Sequence, residues 1–316
     1  MSFSSDVKEE LAKHTGSARH CQIAELAALL LYCGKVKKDK NNQIQVVLET
    51  ENSSVAQKGF TLLKKTFNIY TEITERTLGK QSKNAVYSIK LEKQDEVMKV
   101  LQAVKLMDGT GNLYWENRTI NAVLIKNGCC QRAFLRGAYL AIGSMSDPEK
   151  SYHLELVCVS EEQAMQLRDV VIGFDIEAKI VQRKKYFVVY LKEGSGIVDF
   201  LNLTEAYVSL MNFENLRILK EMRNSINRRV NCEAANITRT VTAASKQVED
   251  IALIRDTCGL ASLPDNLRKM AEVRLEYPDA PLKELGQYLQ PPVGKSGVNH
   301  RLRKLSELAE KIKTSM

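Results

Sequence analysis

Along residues 1–213 the apolar positions change period repeatedly, from the 3.6-residue recurrence of a helix to the two-residue alternation of a strand. Asp6 with Glu9 suggests a helix start, and Val7 and Leu11 supply one short apolar face. Residues 22–34, QIAELAALLLYCG, are apolar nearly all the way round and close on glycine, so a helix here must be buried on most sides. A basic strand and turn follow over 35–42, and Ile44, Val46 and Leu48 then alternate as a half-buried strand. Val55, Phe60, Leu63 and Phe67 predict a helix, and the stretches 69–76 and 85–91 predict two strands around the turn LGKQSKN. Val97, Val100, Leu101 and Val104 predict a closing helix.

After a joining loop at 108–127, which holds Gly109, Gly111 and the only tryptophan, Trp115, the pattern starts again. Residues 131–143, QRAFLRGAYLAIG, predict a second largely apolar helix closed by glycine. A turn at Asp147-Pro148, a strand at Leu154 and Leu156, and a helix with Ala164, Leu167 and Val171 follow. Strands at 176–182 and 186–191 and a short helix near 198–201 complete the series. Placing Leu26 opposite Leu135 sets the halves 109 residues apart and pairs Gly34 with Gly143, while Val46 with Leu154 and Leu48 with Leu156 need 108. Both halves, 1–107 and 128–213, therefore read α-β-β-α-β-β-α. Such a repeat is one duplicated unit, and its two apolar helices make sense if they pack on each other at a pseudo-twofold axis.

Beyond residue 213 the strand signals stop. The connector 214–262 is helical in composition and lacks proline, with Arg223, Arg228 and Arg229 set among Asn224, Asn227, Asn231 and Asn236. It reads either as a solvated linker helix or as an arm that touches phosphates. In the last segment, 263–316, Leu263-Pro264 opens a helix carrying Leu267, Met270, Val273 and Leu275, which would lie beneath a helix-turn-helix at 281–309. Leu282, Leu285 and Leu289 make one apolar face, Pro291 and Pro292 stop that helix, and Gly294 frees the turn. Ser296 is then suited to cap the next helix. On that helix Val298, Leu302, Leu305 and Ala309 share a narrow arc, which predicts the buried side. Ser296, His300 and Arg303 point roughly opposite, with Asn299 and Lys304 on the shoulders. Those five are candidates to read base edges in a major groove, and Lys295 and Arg301 are candidates for phosphate contact. The competing reading is a solvated basic helix.

Composition narrows the classes. With 316 residues and 44% hydrophobic content, two or three domains with real cores are expected. No apolar run has signal-peptide or membrane-spanning length, so a cytoplasmic protein without a membrane partner is expected. A net charge of +8 suits a polyanionic partner but is also common in proteins that bind none. Its placement says more: residues 214–316 carry 18 Lys/Arg against 13 Asp/Glu, the preceding residues 28 against 25. Seven cysteines without a C-x-x-C and four histidines far apart in sequence imply no disulfide framework, no metal and no cofactor. Gly294-Lys295-Ser296 resembles the end of a P-loop, but Leu289 stands where its first glycine belongs.

The segments LAALLLYCG (26–34) and LRGAYLAIG (135–143) look like two copies of the LAGLIDADG motif of homing endonucleases. Together with SGVNHRLRKL and NRRVNCEAANITRT, the whole chain resembles the bacterial WhiA family. The resemblance implies an α+β protein, a duplicated LAGLIDADG-like αββαββα domain followed by an all-α helix-turn-helix domain similar to a sigma-factor promoter-binding region. It also implies a role in transcription during sporulation, or in cell division and chromosome segregation. In nucleases of this fold the acidic residue before each motif's last glycine holds the divalent ions that activate water. Here those positions are Cys33 and Ile142, neither an oxygen ligand, so cleavage is expected to be lost. Asp147 and Glu149 lie a turn further on, in the second half only. Lys35, Lys37, Lys38 and Lys40, with Arg183, Lys184 and Lys185, sit at strand ends or turns where the endonucleases meet the duplex. They read as weak phosphate contacts, a protein interface or solubilising charge.

The expectation is thus a nucleoid-associated regulator with double-stranded DNA as partner, transcription or division proteins as further partners, an undetermined oligomeric state and no enzymatic activity. Two other classes stay open: a metal-dependent endonuclease that recruits different acids, and an adaptor that acts by protein contact.

Overall fold

The computed structural model describes residues 2–38, 43–77, 85–115 and 119–315. The turn at 78–84 and Lys40, both singled out above, lie outside the described residues. Two compact units divide the chain, residues 1–221 and 222–316.

In the first unit α1 (Phe3–Lys13) is capped by the Ser2 hydroxyl, which accepts from the Ser5 amide, so the helix begins three residues before Asp6. Val7 and Leu11, one turn apart, are its buried contacts. Then come α2 (Arg19–Cys33), β1 (Gly34–Lys38), β2 (Ile44–Thr50), α3 (Ser53–Phe67), β3 (Ile73–Thr77), β4 (Ala85–Leu91) and α4 (Gln94–Ala103). The second half repeats them as α5 (Gly128–Ile142), β5 (Gly143–Met145), β6 (Leu154–Cys158), α6 (Glu161–Ile172), β7 (Lys179–Arg183), β8 (Tyr186–Leu191) and α7 (Gly194–Leu203). Each half holds one antiparallel sheet, ordered β1-β2-β4-β3 and β5-β6-β8-β7.

The register proves the repeat. Gly34 pairs with Leu48 as Gly143 pairs with Leu156, and Leu48 pairs with Ile89 as Leu156 pairs with Val189. Lys105 and Glu205, just past α4 and α7, both adopt the left-handed conformation (φ 57° and 68°). In each case the next amide bonds back to a leucine carbonyl, Leu106 to Leu101 and Ala206 to Leu201. On β2 the alternation holds for Val46 and Leu48, but Val47 between them is buried too, so the middle of the strand is covered on both faces. All five residues of β3 are exposed, as suits a charged edge strand.

The core of this unit is centred on α2 and α5. Leu26, Leu29 and Leu30 from one and Phe134, Leu135, Tyr139 and Leu140 from the other are at most 1% exposed. A β-carbon at Gly137 would lie 2.6 Å from the Glu25 carbonyl oxygen and 2.8 Å from the Ala28 Cβ. Ala28 is the residue that the 109-residue offset makes equivalent to Gly137, so two small residues at the third place of each nine-residue segment let the helices touch. Gly34 and Gly143 end the helices in extended conformation rather than left-handed, and carry the chain straight into β1 and β5. A β-carbon at either would strike the carbonyl four residues earlier.

Across this contact runs a buried charge network. Glu25 Oε1 takes the Lys58 ammonium at 2.8 Å and the Arg136 Nε at 3.0 Å, and Arg136 continues to Glu205 at 2.6 Å. Lys58 is fully buried, and its ammonium also donates to the carbonyl of His14. Burial pulls Lys58 below its ordinary pKa, and Glu25 opposes that shift.

Helix α8 (Tyr207–Cys258) takes its first turns from this unit, where the Glu10 carboxylate accepts from the amides of Val208 and Ser209 and so caps its start. The middle of α8, residues 221–243, is exposed throughout. Its last turns belong to the second unit, with α9 (Asp265–Glu276), α10 (Leu282–Tyr288) and α11 (Lys295–Ser315). There Ile251, Ile254, Leu267, Met270, Leu285, Leu289, Val298, Leu302, Leu305 and Ala309 form a separate core. No helix among the described residues is long and apolar enough to cross a membrane.

Two substitutions test the central contact, with Trp115 fluorescence following urea unfolding of the first unit. Gly137→Val is expected to cost about 1–3 kcal/mol, since backbone and methyl must give way. Glu25→Ala is expected to cost more, about 3–5 kcal/mol, because buried Lys58 loses its carboxylate and buried Arg136 one of its two. An unchanged midpoint for both would remove the helix contact from its central place.

Candidate nucleic-acid interface

Helix α11 follows α10 across a corner at residues 289–294. Leu285 and Leu289 are buried and Leu282 half-buried. The corner closes on Gly286, whose carbonyl accepts from the Val293 amide at 2.9 Å and where a β-carbon would collide with the Val293 carbonyl. The Gly294 carbonyl takes the Val298 amide, so Gly294 holds the cap position. Ser296 lies one residue inside α11 and is therefore not the cap expected from its hydroxyl. The shift follows from Val293 packing back on α10, which starts the helix early.

Val298, Leu302, Leu305 and Ala309 are at most 1% exposed. On the other side Lys295, Ser296, Asn299, His300, Arg303 and Lys304 are exposed, and Arg301 is half-buried. Arg303 Nε lies 3.2 Å from Glu307, a pair one turn apart with both side chains mostly in solvent and so worth little. Two residues not anticipated from sequence extend this surface. Arg239 on α8 and Lys283 on α10 border a cavity of about 440 Å³ with Arg274, Lys295 and Asn299, and no carboxylate lines it. Arg274 is held in place by Gln247 and the Ala280 carbonyl. The pattern that would have revealed Arg239 is three-dimensional, since it lies 56 residues before Lys295.

Arg223, Arg228 and Arg229 are exposed on the middle of α8, Arg229 in an i,i+4 pair with Glu233. The same stretch exposes Met222, Ile226, Val230, Ile237 and Val241 at helical spacing.

At the other end of the chain, Cys33 and Ile142 stand half-buried at the C-terminal ends of α2 and α5. Cys33 donates to the Ala141 carbonyl at 3.8 Å, and burial pushes its thiol up to about 11. A cavity of about 530 Å³ beside it is lined by Lys8, Lys35, Glu49 and Glu51. Lys35 is paired with Glu49, and Lys8 places a cation near the thiol. Such a site suits a divalent ion poorly. Asp147 and Glu149 are exposed, with the Asp147 carboxylate accepting from the Glu149 amide in a tight turn. Lys37, Lys184 and Lys185 are exposed, and Arg183 is paired with Glu155 at 2.6 Å. The Lys38 side chain lies outside the described residues.

The cysteines and histidines are less scattered in space than in sequence. His20, Cys21, Cys129 and Cys130 bring their ligand atoms within 4.8 Å of one another at the N-terminal ends of α2 and α5. The expectation of no metal rested on sequence separation, and folding removes that ground. The signal was present in the repeat, since the offset of 109 sets His20 on Cys129 and Cys21 on Cys130.

Three family descriptions cover most of the chain: WhiA N-terminal LAGLIDADG-like domain over residues 19–107, WhiA LAGLIDADG-like domain over 131–223, and WhiA C-terminal HTH domain over 226–309. A protein of Lachnoclostridium phytofermentans named "Probable cell division protein WhiA" is 54% identical over 312 residues, 98% of this chain and 99% of its own. One of the same name from Alkaliphilus oremlandii is 48% identical over 313 residues, 99% of this chain and 98% of its own. The crystal structure of full-length WhiA from Thermatoga maritima matches with a TM-score of 0.59 and 25% identity over 98% of this chain and 99% of that one. With a duplicated LAGLIDADG-like unit followed by a helix-turn-helix unit, and relatives alike from end to end, this chain belongs to the WhiA family.

Proposed function

We propose that this chain is a double-stranded-DNA-binding transcriptional regulator acting in cell division, with chromosome segregation and sporulation as the processes it would serve, and that it works at the nucleoid. The observation that carries the reading is α11, buried along Val298–Leu302–Leu305–Ala309 and presenting Lys295, Ser296, Asn299, His300, Arg303 and Lys304 to solvent. A helix held this way can enter a major groove with its first turns against base edges. Asn299, His300 and Arg303 carry the donors and acceptors that base edges recognise. Lys295, which shares the cavity with Arg239 and Lys283, supplies phosphate contacts together with those two residues and with Arg301. Arg223 and Arg228 extend the cationic surface along α8. The names of the relatives support the link to cell division.

We further propose that the LAGLIDADG-like unit is a scaffold without hydrolytic activity. A neutral thiol and an isoleucine replace the two metal-binding acids, and Lys8 lies beside the thiol. A second reading, an adaptor working by protein contact, is favoured by the exposed stripe Met222, Ile226, Val230, Ile237 and Val241.

Binding of the full chain to a duplex, measured by fluorescence anisotropy across a salt series, tests the first proposal. Affinity is expected to fall steeply with salt, and Lys295→Ala is expected to flatten the slope of log affinity against log salt by about 0.9. Asn299→Ala is expected to lose about 1–3 kcal/mol of discrimination at its base pair while leaving the salt slope in place. If Lys295→Ala, Asn299→Ala and Arg303→Ala all bind chromosomal DNA as the parent does, the adaptor reading takes over. Supercoiled plasmid incubated with the protein and Mg²⁺ is expected to stay intact; nicking that disappears in Asp147→Asn would restore the nuclease reading.

A further inference from the structure

The N-terminal ends of α2 and α5 meet at the pseudo-twofold axis, and each brings a dipeptide of metal-ligating residues. From α2 come His20 and Cys21, and from α5 come Cys129 and Cys130, residues that the 109-residue offset makes equivalent in pairs. Their four ligand atoms lie within 4.8 Å of one another. His20 Nδ1 is 3.1 Å from Cys130 Sγ and 3.3 Å from Cys21 Sγ. We propose that His20, Cys21, Cys129 and Cys130 bind one zinc ion, which ties the two halves of the LAGLIDADG-like unit together at the start of their central helices.

Four observations carry this. Three sulfurs and one imidazole nitrogen are a Cys₃His set, the donor chemistry of structural tetrahedral zinc. Zinc–sulfur bonds of about 2.3 Å and zinc–nitrogen bonds of about 2.0 Å put tetrahedral ligands roughly 3.5–3.8 Å apart. The observed spread, within 4.8 Å, lies about 1 Å above that range, whereas an iron–sulfur cluster needs its ligands further apart. Cys21 and Cys130 are buried among Ala24 and Ala133, while His20 and Cys129 are exposed, so the site has a closed floor and an open mouth for the ion. Neither helix has a side-chain cap, so the positive ends of two helix dipoles lie at the cluster with no acidic side chain bonded to them. On binding, each thiol gives its proton to solvent as its sulfur–zinc bond forms.

The sequence-distant ligands come from the two elements that pack most closely in the unit, which explains why no C-x-x-C announces the site. A local motif would bind zinc before folding. Ligands divided between two repeats bind only once the halves have docked, so the ion reports and stabilises their pairing.

The test uses the full chain without a histidine tag, loaded with Zn²⁺, passed through a desalting column and assayed for metal and free thiols. One zinc per chain is expected, and Co²⁺ in its place is expected to give the thiolate charge-transfer and ligand-field bands of a tetrahedral site. Cys129→Ser, at an exposed position where folding is not at stake, is expected to weaken zinc at least about tenfold in competition with a chelating dye. Cys21→Ser and His20→Ala are expected to do likewise, and Cys232→Ser, an exposed cysteine outside the cluster, to leave zinc unchanged. The proposal is overturned if the folded parent holds no zinc, if Cys129→Ser binds zinc as the parent does, or if the isolated protein carries a Cys21–Cys130 disulfide or an iron–sulfur chromophore instead.

Discussion

Where α2 crosses α5 there is room for nothing larger than Ala28 against Gly137, and every other feature of the first unit takes its position from that contact. The approach brings Glu25 opposite Arg136, and Lys58 completes the pairing from α3. A buried ion network of this kind is not a cheap source of stability, because removing three charges from water costs several kcal/mol for each before any attraction is counted. Its effect is on choice of register. Sliding α5 by one turn would separate Arg136 from Glu25 and strand charged groups in a core that offers no substitute partner, so the network penalises every alignment but one. The same alignment sets Gly34 and Gly143 where both helices can pass directly into strands.

Once the two central helices are locked, their ends become distinct chemical places. At the C-terminal ends, a metal-dependent nuclease would need two carboxylates close to the axis, and without metal those acids would repel each other. Cys33 and Ile142 carry no such repulsion, and Lys8 adds a cation that a pair of divalent ions would have to displace. At the N-terminal ends, soft donors from both halves converge where the helix dipoles favour negative charge. In the proposed zinc site, metal chemistry at the axis lies at the N-terminal end of the helix pair and uses soft donors.

Much of this was legible in the sequence because burial leaves periodic marks. The all-round apolar character of 22–34 and 131–143 foretold a helix pair with little solvent, and the 109-residue offset foretold the register that Gly34↔Leu48 and Gly143↔Leu156 display. The arc Val298–Leu302–Leu305–Ala309 was equally plain, since a 100° step per residue sorts side chains without reference to anything else in the molecule. What stayed hidden depends on backbone placement or on pairs of distant residues. Ser296 read as a cap because its hydroxyl is the right chemistry, yet Gly294 has the place because Val293 is fastened to Gly286. Lys58, an ordinary lysine in an amphipathic pattern, is fully buried because Glu25 waits for it from another helix. Hydropathy cannot see such a pairing, and cysteine spacing cannot see a cluster assembled by duplication.

The second unit separates two tasks that charge alone would merge. Phosphate contacts hold a protein on a duplex without telling sequences apart, and base contacts tell them apart over only the few pairs one helix can reach. In the proposed reading these functions fall to different parts of α11: His300 and Arg303 stand exposed on the face away from the core, Lys295 borders the cavity it shares with Arg239 and Lys283, and Asn299 borders that cavity too. Because that cavity has no acid in its lining, the proposed phosphate contact there would not depend on sequence, and selectivity would come from the outward face or from contacts beyond it. The exposed apolar stripe of α8 is the natural place to look for those further contacts. A helix carrying Met222, Ile226, Val230, Ile237 and Val241 to solvent gives up hydrophobic burial that a partner would recover. In the proposed regulator, whose reading head would cover few base pairs, such a partner would supply the rest of the address, since linking two weak interactions multiplies their effect without enlarging either one.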